Sequence, residues 1–192
     1  DVALWPLLKS QVVVNSLKIS GGKVNTQDLI ESVVVKGQVG TIYVESRGID
    51  LKNEHVTVND LKIDNSLIDV ALRDSVPPDT TESTANWKVD LVQLLARNTR
   101  FALHLPGDSM TVKATFDGLS AYDTRLLLGE GRYSVARLNW QGGSLAYDLP
   151  YESALPQGLD YNHLQLTDIA LGLDSVLYCD PIARLNIRQL AM

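Results

Sequence analysis

One pattern of side chains recurs along this chain and leaves little freedom in what it can fold into. It is anchored on a leucine, taken as position zero, at Leu17, Leu61, Leu94, Leu138 and Leu164. Apolar residues precede the anchor at −5 and −3: Val12/Val14, Val56/Val58, Val89/Leu91, Tyr133/Val135 and Leu159/Tyr161. Another follows at +2: Ile19, Ile63, Ala96, Trp140 and Leu166. A turn former stands at +4: Gly21, Asn65, Asn98, Gly142 and Asp168. Apolar residues return at +7 and +9: Val24/Thr26, Ile68/Val70, Phe101/Leu103, Leu145/Tyr147 and Leu171/Leu173. Of the apolar positions so defined, only Thr26 is polar, so the pattern is a structural repeat and not a chance of the 45% hydrophobic content.

Alternation with period two in short runs rich in Val, Ile, Leu and Tyr is the pattern of strands with one buried face. The fold class expected is therefore all-β, with repeated antiparallel hairpins forming a curved, trough-like sheet, a half-pipe with one apolar face. If +4 and +5 make a two-residue hairpin loop, +2 faces +7 and zero faces +9, and all four share a side. Gly21-Gly22, Gly142-Gly143 and Asn65-Ser66 suit the positive φ of such turns, whereas Asp168-Ile169 suits it poorly because a β-branched residue resists that region. The step from −3 to zero is odd, so a β-bulge at −2/−1 is needed to keep both on one face. Asn15-Ser16, Asn59-Asp60, Asn162-His163 and Arg188-Gln189 stand there.

Anchor spacings of 44, 33, 44 and 26 residues imply intervening strands of varying number. A sixth copy begins at Leu185 and Ile187, reaches its anchor at Leu190, places Met192 at +2 and stops before its turn. The chain also opens on Asp1 and not on Met. Both features lead us to expect residues 1–192 to be a single fragment of a longer repetitive β domain. Ser75 to Ala85, with Pro77-Pro78, reads as an exposed loop (about 75–86), and Pro150 and Pro156 mark a second irregular connection at about 148–158. Leu4-Trp5-Pro6-Leu7-Leu8 fits either a short helix or an edge segment.

Composition narrows the function classes. A net charge of −6 with 17 scattered Lys and Arg argues against a nucleic-acid groove, which needs clustered cations. No run of about 18 apolar residues is present, so no helix is expected to span a membrane. The single cysteine, Cys179, excludes an intramolecular disulfide and a multi-cysteine metal site. There is no G-x-S-x-G, H-E-x-x-H, P-loop or Rossmann glycine signature. His55, His104 and His163 are dispersed and read as surface residues. Asp50, Asp64, Asp69, Asp148 and Asp174 alternate with apolar neighbours or flank turns, as the solvated face of a sheet would. Gly129-Glu130-Gly131 reads as a tight turn. No cofactor, metal or catalytic residue is expected, and the chain is not read as an enzyme. Trp140 and Tyr147 occupy inward phases, where core packing and lipid contact are the two readings.

Several segments are similar to the TamB family within the wider AsmA-like superfamily. They are Asn86-Trp87-Lys88-Val89-Asp90-Leu91, Asn98-Thr99-Arg100-Phe101-Ala102-Leu103, Leu105-Pro106-Gly107-Asp108, Gly158-Leu159-Asp160, Leu166-Thr167-Asp168-Ile169 and Tyr178-Cys179-Asp180-Pro181. The likeness covers most of the chain, and its motifs are structural, with no catalytic residue to transfer. It implies a large Gram-negative envelope protein held in the inner membrane by a helix outside this sequence and extending through the periplasm as a β-rich trough. Proteins of that family are associated with phospholipid transport to the outer membrane and with outer-membrane protein assembly beside a BamA-like partner, TamA. Docking to that partner would use regions outside these residues.

The groove lining expected from the repeat is Leu17, Ile19, Leu61, Ile63, Ile68, Phe101, Leu103, Leu138, Trp140, Leu145, Leu164 and Leu166. Phospholipid is the partner this implies. Two alternatives stand beside it: a chaperone-like scaffold whose open edges pair with strands of outer-membrane proteins, and a closed β-sandwich whose apolar face is all core.

Overall fold

The computed structural model describes residues 2–3, 11–27, 33–72, 86–105, 110–160, 162–179 and 182–191. Its strands are β1 (Val2–Ala3), β2 (Gln11–Val14), β3 (Ser16–Asn25), β4 (Val33–Asp50), β5 (His55–Asp64), β6 (Leu67–Leu72), β7 (Lys88–Leu105), β8 (Met110–Leu127), β9 (Arg132–Asp148), β10 (His163–Thr167), β11 (Ala170–Cys179) and β12 (Ile182–Ala191). All belong to one curved sheet, whose main path is β1-β2-β4-β5-β7-β8-β9-β11-β12. The remaining three pair along it. β3 continues β2 along β4, β6 continues β5 between β4 and β7, and β10 precedes β11 along β9. β4, β7 and β8 are 18 residues each, or roughly 60 Å of extended chain.

Among the described residues no second layer covers this sheet. Strands make substantial contact only with their hydrogen-bonded neighbours. The chain exposes 12855 Å², against roughly 9,000 Å² for a compact protein of its 21.1 kDa mass, and no described side chain is fully buried. Closure into a sandwich or barrel is not observed among the described residues.

The register explains the repeat. Leu17, Val44, Leu61, Leu94, Ala121, Leu138, Leu173 and Ile187 stand opposite one another in a row across the sheet. A second row holds Ile19, Ile42, Ile63, Ala96, Leu119, Trp140, Leu171 and Leu190. The +7 positions form a row from Val24 through Gly37, Ile68, Phe101, Ala114 and Leu145 to Leu166. The +9 positions form another from Val35 through Val70, Leu103, Val112 and Tyr147 to Leu164. Directly opposed residues share a face, so each row lies on one side of the sheet.

The predicted hairpin turns are not turns. Gly21-Gly22 and Gly142-Gly143 lie inside β3 and β9, Asn98 lies inside β7, and Asn65-Ser66 and Asp168-Ile169 join collinear strands. What the turn formers supply is positive φ: 65° at Gly21, 50° at Asn65, 45° at Asn98, 69° at Gly142 and 53° at Asp168. The same left-handed conformation serves a tight turn and a β-bulge, so Gly, Asn and Asp carry the same local signal for both. Here it bends each strand without ending it and absorbs the odd step between +2 and +7.

The real reversals lie elsewhere. One is Leu51–Glu54, where the Asp50 carboxylate accepts the backbone N–H groups of Lys52 (3.1 Å) and Asn53 (3.0 Å). Another is the 3-10 turn Leu128–Glu130, close to the turn expected at 129–131.

The predicted bulge at −2/−1 does have a counterpart in the register. Asn15 separates β2 from β3, and Asn59, Val92, Ala136 and Arg188 drop out of the ladders.

Strand direction accounts for the anchor spacings. Out-and-back excursions through β4 and β8 give 44 residues. The spacing of 33 arises because β5 and β6 pair with β7 in parallel, an exception to the expected antiparallel sheet. The offsets zero, +2, +7 and +9 read the same from either end. A strand running the opposite way therefore fits the same rows with zero and +9 exchanged. Leu164 illustrates this, pairing with Tyr147 in the +9 row while Leu173 pairs with Leu138. The Leu190 anchor falls in the +2 row. The loop expected at 75–85 and the segment Leu4–Leu8 lie outside the described residues. The irregular connection expected near 148–158 is present after β9.

Candidate functional site

The twelve residues expected to line a groove fall into four of these rows. Leu17, Leu61 and Leu138 are in the zero row, and Ile19, Ile63 and Trp140 in the +2 row. Ile68, Phe101, Leu145 and Leu166 are in the +7 row, and Leu103 and Leu164 in the +9 row. At the edge strand β3, Leu17 and Ile19 are exposed, while Leu61, Ile63, Phe101 and Leu138 in the middle are half-buried by their cross-strand neighbours alone.

Packing is densest around Trp140. With Ala114 and Ile169 it forms a buried cluster, against which Leu119, Leu138, Leu145, Leu166 and Leu171 pack. Members of the zero, +2 and +7 rows thus meet on the same side of β8 to β11. Trp140 meets Phe116 edge-to-face at 4.9 Å and donates its indole N–H to the Gly142 carbonyl at 2.8 Å. For this side chain the core reading holds.

The line of bends carries a feature that the sequence reading missed. Position +5 is deeply buried in three of its five copies, with Ser66 4%, Thr99 3% and Ile169 2% exposed. Ser66 donates its hydroxyl to the Asp64 carbonyl (2.9 Å) and Thr99 to that of Arg97 (2.9 Å), the same i to i−2 bond in two copies. Ser66 Oγ also accepts the Gly40 N–H at 3.2 Å, and Thr115 Oγ1 accepts the Ser144 N–H at 2.8 Å. A bulge strands backbone groups, and these hydroxyls supply partners for them. The signal was a small polar residue directly after an Asn in a row of apolar neighbours. The reverse strands were also missed, although Val35/Gly37/Ile42/Val44 and Val112/Ala114/Leu119/Ala121 have the same offsets, because Gly37, Ala114 and Ala121 dilute the apolar signal.

His55 sits at one end of the strands and His104 and His163 at the other, each beside a carboxylate: His55 with Asp90 (2.8 Å), His104 with Asp69 (3.4 Å) and His163 with Asp160 (3.1 Å). No group of His, Cys, Asp and Glu among the described residues is placed to hold a metal ion. An open depression of about 390 Å³ is lined by Asp90, Asp123, Thr124, Arg125 and Ser134 with Leu91 and Val92. Partial burial pushes the Asp90 carboxyl up, but hydrogen bonds from Arg125 and His55 outweigh it and hold the group below the usual carboxylate range. A depressed folded-state value gives stability that is present above the unfolded value of about 3.9 and lost as pH falls through the folded value. Asp90→Asn is therefore expected to lower stability at pH 7 by at most about 1 kcal/mol, since Arg125 is largely exposed. The difference from wild type should shrink in thermal melts as pH falls below about 4 and through the lowered folded value.

No family model matches this chain, and no curated protein matches it in sequence.

Proposed function

We propose that the rows form one continuous apolar face of an open β-trough that shields phospholipid acyl chains, in a periplasmic, non-enzymatic segment of a TamB-like member of the AsmA-like superfamily. The observation that carries this reading is the register: apolar residues occupy the zero and +2 rows on each of β3, β4, β5, β7, β8, β9, β11 and β12, with no second layer over them among the described residues. An apolar surface of this extent in water needs a cover, and acyl chains gain about 0.8 kcal/mol for each methylene they bury. In that setting the polar phase, with Lys18, Lys62, Asn139 and Gln141 beside the same rows, faces the periplasm. Anchoring in the inner membrane and docking to a TamA- or BamA-like partner belong to regions beyond these residues.

Native mass spectrometry on protein mixed with phospholipid vesicles and re-isolated without detergent tests the reading. Wild type is expected to carry phospholipid, and Leu138→Asp, folded as judged by circular dichroism, is expected to lose most of it. Equal lipid loading of both proteins, or none on wild type, would contradict the proposal.

A further inference from the structure

We propose that the polar face of β7, β8 and β9 carries a binding site for an anionic sugar, built over Gly118 and flanked by Arg97 and Gln141. Two rows cross this face side by side, Leu95-Ser120-Asn139 and Arg97-Gly118-Gln141. They alternate with the zero and +2 rows and so stand on the opposite side of the sheet. Gly118 is the odd residue among them. Glycine inside a strand loses more chain entropy and packs nothing, and it marks places where a special backbone angle, a close neighbouring backbone or a ligand needs it. The first two reasons do not apply here. Gly118 has no positive φ, and a Cβ there would meet only the Gln141 carbonyl oxygen, at an ordinary 3.8 Å. Gly37 and Gly143, by contrast, lie hard against backbone. What Gly118 leaves is an open depression of about 290 Å³, wider than a lone ion needs.

The lining selects the ligand. Ser120, Tyr122, Asn139 and Gln141 supply hydroxyls and planar amides, and Leu95 an apolar contact. Arg97 is the one charge, and no carboxylate lines the depression on a chain of net charge −6. Asn139 is fixed in place: its amide donates to the Ser120 hydroxyl at 3.3 Å, and Arg188 donates to its carbonyl oxygen. Arg97, Tyr122 and Gln141 make no side-chain hydrogen bond among the described residues, and Arg97 forms no ion pair with Asp64, which stands directly opposite it on β5. The exposed guanidinium therefore keeps its planar fork for an oxyanion, and the amides and hydroxyls around it match the hydroxyls of a sugar ring. A sugar carboxylate and a sugar phosphate share this chemistry. The site lies on the face away from the apolar rows, so the inference is independent of what covers them.

Amide NMR titration of the whole chain tests it with glucuronate, glucose-6-phosphate, glucose and inorganic phosphate. The two charged sugars separate a carboxylate from a phosphate as the preferred anion. At least one of them is expected to shift the Gly118 and Gln141 amides and to bind about tenfold more tightly than glucose or phosphate alone. In Arg97→Gln the preference for the charged sugar over glucose is expected to vanish. In Gly118→Val, which fills the depression with a residue suited to a strand, binding is expected to be lost in a protein that melts no lower than wild type. Glucose or inorganic phosphate binding as tightly as the charged sugars, binding of none of the four, or binding unchanged in either variant would overturn the proposal. So would a Gly118→Val protein melting well below wild type, since the glycine would then serve the fold. Vesicles are omitted, so failure here leaves the lipid reading untouched.

Discussion

Replacing Gly143 by alanine is expected to destabilise the sheet by about 3 kcal/mol or more. Gly143 has φ 101°, outside the left-handed well that Asn or Asp tolerates. A Cβ there would overlap the Thr115 carbonyl oxygen and lie 2.7 Å from its carbon. That carbonyl belongs to the neighbouring strand and cannot swing aside as a flexible side-chain tip would. Gly131 is the control: its φ is 58° and a Cβ there meets nothing within 4 Å, so Gly131→Ala should cost only about 1 kcal/mol. Urea unfolding followed by circular dichroism measures both. Comparable losses at the two sites would show that the bend line does not depend on close backbone approach.

The second large effect is expected at Trp140. Truncation to alanine removes the centre of the densest cluster, its edge-to-face contact with Phe116 and its bond to the Gly142 carbonyl. The expected loss is about 3 kcal/mol, at the lower end for a tryptophan because a single-layer sheet leaves part of the site open to solvent. Trp140→Phe should fall between, since it keeps most of the apolar contact and leaves the Gly142 carbonyl without its donor. A loss below 1 kcal/mol for Trp140→Ala would mean that the cluster contributes little to folding.

Much of this architecture was legible in the sequence, and what was misread has a physical cause. Period-two alternation fixed the class, and the anchored offsets placed Leu17, Leu61, Leu94 and Leu138 in what is one cross-strand row. The +4 residues were recognised as positive-φ positions but assigned to reversals, because Asn65 and Gly142 look the same to local chemistry whether the chain turns back or bends onward. Only the register beyond the bend distinguishes the two, and register is a non-local property. The parallel pairing of β5 with β7 was hidden for the same reason, although the short spacing of 33 residues between Leu61 and Leu94 was its trace. The buried hydroxyls of Ser66 and Thr99 escaped notice because a small polar residue beside Asn reads as loop. At the candidate site, the twelve lining residues were named from alternation alone, whereas their partners Val44, Ile42, Leu119 and Ala121 on the reverse strands required the inverted pattern to be seen.

In the proposed trough the zero row and the phase next to it face different surroundings, acyl chains on one side and water on the other. Photo-crosslinking tests this most directly, with a benzophenone amino acid placed singly at Leu61, Leu138, Lys62 and Asn139 in protein incubated with phospholipid vesicles. Leu61 and Leu138 lie in the zero row, and Lys62 and Asn139 are their immediate neighbours on the opposite phase. Phospholipid adducts are expected at Leu61 and Leu138 and none at Lys62 and Asn139. Equal labelling of the two pairs, or adducts confined to Lys62 and Asn139, would contradict it.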